Sequence, residues 1–117
     1  MGKPRSQWAR KVDGNHGEIK SALTAAGWHV TDLFRVGRGV PDMLASKPRV
    51  AVLVEAKMPG EELTPAEVEY LHLYQGPRVV AHSGQEAVDG CAEIERAINA
   101  PNKALWQELI GKKSKAR

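Results

Sequence analysis

Residues 50–54, Val-Ala-Val-Leu-Val, form an unbroken apolar run that ends on Glu55, Ala56 and Lys57, and this segment constrains the fold most tightly. A run apolar at both odd and even positions predicts a strand covered on both faces, placed centrally in a sheet. Met43, Leu44 and Ala45 supply a second short strand, and residues 46–49 read as the turn between the two. With Pro48 and Arg49 at the centre of that hairpin, residues whose numbers sum to 97 face each other, which sets Asp42 across from Glu55. Glu55 and Lys57 are two apart, so on an extended strand they share a face. Two carboxylates and an ammonium are expected to converge.

Charged residues at strand ends are commonly just solvated, and a carboxylate beside a lysine is commonly an ordinary ion pair. The apolar run argues for more. Two carboxylates brought together at the end of a covered strand raise each other's pKa unless a cation or a proton intervenes. Hard oxygen ligands suit Mg2+ or Mn2+, which keep several waters and bridge to substrate phosphate. The pattern therefore reads as a metal-dependent phosphodiesterase site.

Gly39, Val40, Pro41 and Asp42, followed by Glu55, Ala56 and Lys57, resemble the signature of the PD-(D/E)XK nuclease superfamily, and within it the VRR-NUC branch. The resemblance runs from about Glu18 to Asp89. It includes an acidic residue on the first helix and a Leu63-Thr64-Pro65 helix entry after the Glu-x-Lys strand. It implies a restriction-endonuclease-like α/β fold, a mixed sheet of about four strands flanked by helices in the order αβββαβα. It further implies that Asp42 and Glu55 are metal ligands, joined by the Ala56 carbonyl and by Glu18, and that Lys57 assists the attacking water. Many relatives place glutamine in the helix after the motif, where this chain has Glu67. Small stand-alone members of the branch, from phage and microbes, are similar to Holliday-junction resolvases, which implies branched DNA as substrate and a two-fold homodimer as the working unit.

At 117 residues and 42% hydrophobic content, the chain suits one domain with one modest core. We expect that domain over residues 1–111 and a basic tail over residues 112–117. No stretch reaches the ~20 apolar residues of a membrane span, and the start of the chain lacks the apolar core of a secretory signal. An intracellular, cytoplasmic protein, in a phage-infected or microbial cell, is the expectation. The single cysteine, Cys91, precludes a disulfide within the chain, and His16, His29, His72 and His82 lack zinc spacing. Charge is unevenly spread: residues 1–60 carry a net +5, residues 61–95 a net −7 and residues 96–117 a net +5. DNA contact is thus expected at the ends and around the motif.

Along the chain, Trp8, Val12, Ile19, Leu23 and Ala26 fit a helical stripe over residues 6–26, which Gly14 and Gly17 weaken and Gly27 ends. Trp28, Val30, Phe34 and Val36 alternate as a first strand. Thr64, Pro65 and Glu67 open a helix with a capping box, with Val68, Leu71 and Tyr74 as its buried face. Val79, Val80 and Ala81 give a fourth strand, parallel to the third because a helix intervenes. Ser83 and Glu86 form a second capping box for a helix to about residue 97, burying Ala87, Val88, Cys91, Ile94 and Ile98. After Pro101, the stripe Leu105, Trp106, Leu109 and Ile110 predicts a last short helix docked on the core or on another subunit.

Several residues near the motif admit two readings. Glu18 is a metal ligand by resemblance, yet Asn15 and Glu18 have capping-box spacing. Glu67 has the same spacing from Thr64. His16 is a base near Glu18 or a structural side chain. Arg35 and Arg38 flank the glycine-rich entry to the motif and are substrate-phosphate contacts or ordinary turn arginines. The function these features support is Mg2+- or Mn2+-dependent cleavage of DNA by Asp42, Glu55 and Lys57. Two alternatives stay open: a non-catalytic nucleic-acid-binding module of nuclease fold within a larger complex, and a small interaction protein whose terminal helix recruits a partner.

Overall fold

A computed structural model describes residues 14–100. The elements follow the expected order: α1 (His16–Ala25), β1 (His29–Asp32), β2 (Met43–Lys47), β3 (Val50–Ala56), α2 (Pro65–Leu73), β4 (Arg78–Ala81) and α3 (Gly84–Asn99). The chain is an α/β protein with a mixed four-stranded sheet, order β1-β2-β3-β4, flanked by helices. The β2–β3 hairpin pairs Met43 with Val54, Ala45 with Val52 and Lys47 with Val50, the register read from the turn. Arg49 closes that turn with φ of 68°, and β4 joins β3 in parallel.

The core explains the layering. Met43, Ala45, Val52, Val54 and Ala81 point to one face of the sheet, where Ile19 and Leu23 of α1 and Ala87 and Cys91 of α3 close over them. Leu53 and Glu55, of opposite parity, are also buried, but Ala51 on that same face is exposed, so the second face of β3 is covered only toward the Glu55 end, less than its composition predicts. Trp28 seals the edge, with the Lys47 ammonium 4.8 Å from its ring and 3.3 Å from Glu95 Oε1. Val88, Ile94 and Ile98 pack on the same cluster, as their helical spacing predicts.

Three expectations are corrected. The first strand stops at Asp32: residues 34–36 turn, and Val36 is 57% exposed. Leu33 N still donates to Asp42 O at 2.7 Å, but Val36 N then donates to Leu33 O at 2.9 Å and closes a turn, after which Gly37, Arg38 and Gly39 continue the loop with positive φ (74°, 58° and 82°). Second, α2 buries Leu71 alone, while Val68 is 52% exposed. This helix is fastened through its first turn, where Gly39 lies so close to Ala66 that a Cβ would strike the Ala66 carbonyl. Third, the α3 capping box is half formed. Ser83 Oγ accepts from Glu86 N at 3.1 Å, but the Glu86 carboxylate accepts from His82 N at 2.7 Å instead of Ser83 N. The expected helix after Pro101, the basic tail with its boundary at residue 111, and the stripe residues Trp8 and Val12 lie outside the described residues. No described helix is long and apolar enough to cross a membrane.

Candidate active site

Asp42 and Glu55 each stand one step past the Met43–Val54 pair, so the hairpin register carries them to the same end of the sheet. Asp42 Oδ2 accepts a hydrogen bond from Ala56 N at 2.8 Å, which fixes the carboxylate beside the Glu-x-Lys segment. Lys57 N donates to Ala81 O at 2.9 Å, extending the β3–β4 pairing to the lysine. Glu55 is 3% exposed and Lys57 6% exposed.

The Lys57 ammonium is ringed by carboxylates: Glu67 Oε1 at 2.9 Å, Glu55 Oε2 at 3.8 Å and Glu61 Oε2 at 3.8 Å. Glu67 takes the capping role that its spacing offered and adds a contact to Lys57 that the spacing did not indicate. Its Oε1 also accepts from Thr64 N at 2.8 Å, and Thr64 Oγ1 accepts from Glu67 N at 3.2 Å, completing the capping box. One carboxylate thus ends a helix and holds the lysine. Glu61 had no signal in the sequence beyond its place four residues after Lys57.

The electrostatics follow from burial. Glu55 is pushed up to about 9, first by desolvation, then by the charges of Asp42 and Glu67 and a hydrogen bond with Glu67, against the pull of Lys57. Desolvation likewise raises Asp42, opposed by the Ala56 amide and by His16. Burial works against the charge on Lys57, but the hydrogen bond and charge of Glu67 overcome it and hold the ammonium above the usual lysine value. For Glu67, burial is outweighed by the hydrogen bonds from Lys57 and Thr64, and its pKa falls. The cluster therefore couples a firmly charged lysine to two carboxyls that resist ionising together.

The described contacts of the remaining candidates go to groups other than the Asp42, Glu55 and Lys57 side chains. Glu18 Oε2 accepts from Gly84 N at 3.0 Å, at the start of α3, and no described hydrogen bond or ion pair joins it to Asp42, Glu55 or Lys57. Asn15 does not cap α1 with its side chain, so the Asn15–Glu18 box is corrected; the Asn15 amide reaches Lys57 O and His82 O instead. His16 is buried, with Nε2 3.5 Å from Asp32 Oδ1 and lacking a hydrogen-bond partner, its ring edge-on to Phe34. Its influence on Asp42 places it near the site, which no spacing in the sequence indicated. Arg35, over the Phe34 ring at 5.8 Å, and Arg38 are exposed on the loop between β1 and β2.

The donor set suits a hard divalent cation. The hairpin register sets the Asp42 and Glu55 carboxyls at one end of the sheet, where burial and the charge of Asp42 raise Glu55, an effect that a bound divalent cation would offset. Among the described residues no group of three or more His, Cys, Asp or Glu is arranged to hold a metal ion. No protein-family model, curated protein or solved structure matches this chain.

Proposed function

We propose that this protein is a divalent-metal-dependent endodeoxyribonuclease of the PD-(D/E)XK type, VRR-NUC branch. It hydrolyses DNA phosphodiester bonds with Asp42, Glu55 and Lys57. The observation that carries this reading is the buried Glu55 carboxyl 3.8 Å from the buried Lys57 ammonium, with the half-buried Asp42 carboxyl tied to the same segment through the Ala56 amide. A structural ion pair needs one acid; a second acid beside it takes up either a proton or a cation, and the nuclease reading assigns the cation.

In this reading Asp42 and Glu55, with the Ala56 carbonyl, hold Mg2+ or Mn2+. When bound, the ion neutralises the phosphate and eases deprotonation of the attacking water. Lys57 orients the water or stabilises charge developing on the phosphoryl oxygens, and Glu67 fixes the ammonium for that task. Arg35 and Arg38 contact DNA phosphates, which positions the duplex without reading sequence. Glu18 is the further metal ligand that the resemblance implies, although its carboxylate accepts from Gly84 N in this structure. The resemblance to junction-resolving members of the branch implies branched DNA as substrate inside a cell, and a homodimer follows from it, because paired cuts at a four-way junction need two sites and one such domain supplies one.

The test is a cleavage panel of four-way junction, flap and linear DNA with Mg2+ or Mn2+. The wild type should cut, and Asp42→Asn and Lys57→Ala should not, while both variants keep the wild-type circular dichroism spectrum. DNA binding without cleavage by the wild type would instead favour the binding-module reading.

A further inference from the structure

The first turn of α1 makes contacts that neither capping nor the core calls for. Asn15 stands at the N-cap position and is 7% exposed, yet its side chain caps nothing. Its Nδ2 donates twice, to the carbonyl of Lys57 at 2.8 Å and to the carbonyl of His82 at 2.8 Å. Both acceptors lie one residue past the last pair of the parallel ladder, Ala56 with Ala81. The adjacent Gly14 has φ of 57°, and a Cβ there would lie 2.6 Å from Met58 Sδ. Residues 14 and 15 are therefore pressed onto residues 57 and 58.

Two carbonyl oxygens that converge in a buried place repel unless donors stand between them. A primary amide supplies both from a single nitrogen. Serine has one donor, and aspartate, of the same shape, has none when ionised. The link is long-range, from residue 15 to residues 57 and 82, so it holds the end of β3 against the end of β4 where the ladder has stopped.

We propose that Asn15 is a positioning residue for Lys57: its amide locks the main chain of residue 57, and so sets where the ammonium stands relative to Asp42 and Glu55. This rests on the nuclease reading above and deepens it. A catalytic group displaced by about 1 Å loses roughly a hundredfold in rate, so a clasp on the backbone of the lysine is a clasp on turnover.

The test uses Asn15→Asp and Asn15→Ser, with folding checked by circular dichroism and all assays run well below the melting temperature. Magnesium-dependent cleavage gives kcat and KM, calorimetry gives Mn2+ affinity, and reductive methylation read by mass spectrometry gives the reactivity of Lys57. We expect kcat to fall by roughly a hundredfold with KM and Mn2+ affinity unchanged, and Lys57 to label faster than in the wild type. A purely structural Asn15 would lower the melting temperature and leave the other readouts alone. Folded variants with wild-type kcat and wild-type labelling overturn the proposal, as does a loss of kcat accounted for by lost Mn2+ affinity. If the wild type cuts no DNA with any divalent ion, the nuclease reading fails. Lys57 labelling then decides the positioning role by itself, unchanged reactivity refuting it.

Discussion

Glu55 shares a buried site with Asp42, Glu67 and Lys57, and that company decides how it titrates. Its carboxyl moves from 4.5 to about 9 on folding. The stability contributed by the neutral form is therefore complete below about pH 4.5 and is lost as pH rises through about 9. Thermal melts in chelator from about pH 5 to about pH 9 should show a falling melting temperature, and Glu55→Gln should flatten the trend. A wild-type slope retained in Glu55→Gln would refute this assignment. At this scale the sequence was legible where register arithmetic applied: the hairpin turn at Pro48 and Arg49 brought Asp42 to Glu55. It was illegible for Asn15 and His16, whose partners are set by how α1 docks across the sheet rather than by any local repeat.

Elements explain how the site is held. The first turn of α2 is bound from two sides, by Glu67 on Lys57 and by the close approach of Gly39 to Ala66. Gly39→Ala combines a positive φ with a collision against backbone, and should cost more than about 1 kcal/mol in chemical denaturation while also lowering cleavage, because Glu67 moves with its helix. Wild-type stability in this variant would contradict the packing described. Thr64→Ala removes the cap and should cost about 1 kcal/mol by the same measurement. The capping box at Thr64 was readable because its chemistry is local. The depth to which α2 would bury was not. Val68 has the spacing of a core residue, but α2 is tethered at one end and leaves that side chain exposed. The same limit applies to β1, where alternation through Val36 promised a longer strand than the turn closed by Val36 N on Leu33 O permits.

At the scale of the whole molecule, α1 and α3 cover one face of the sheet, and the start of β2, the end of β3 and the first turn of α2 gather the charged groups at one place. Element order and strand pairing were legible because apolar runs, turns and capping signals all agreed. Basic charge at both ends of the chain and acidic charge between them predict DNA affinity that falls steeply with salt. Sedimentation at assay concentration should give a two-chain particle that prefers four-way junctions. A monomer that cuts linear duplex equally well would remove the branched-DNA assignment.

The most direct measurement is calorimetric titration of Mg2+ or Mn2+ near neutral pH, repeated in buffers of different ionisation enthalpy. The account predicts saturable binding accompanied by proton release, as Glu55 gives up the proton it otherwise retains, and loss of that binding in Asp42→Asn and Glu55→Gln. Absence of binding in the wild type, or binding that survives both substitutions, would contradict it.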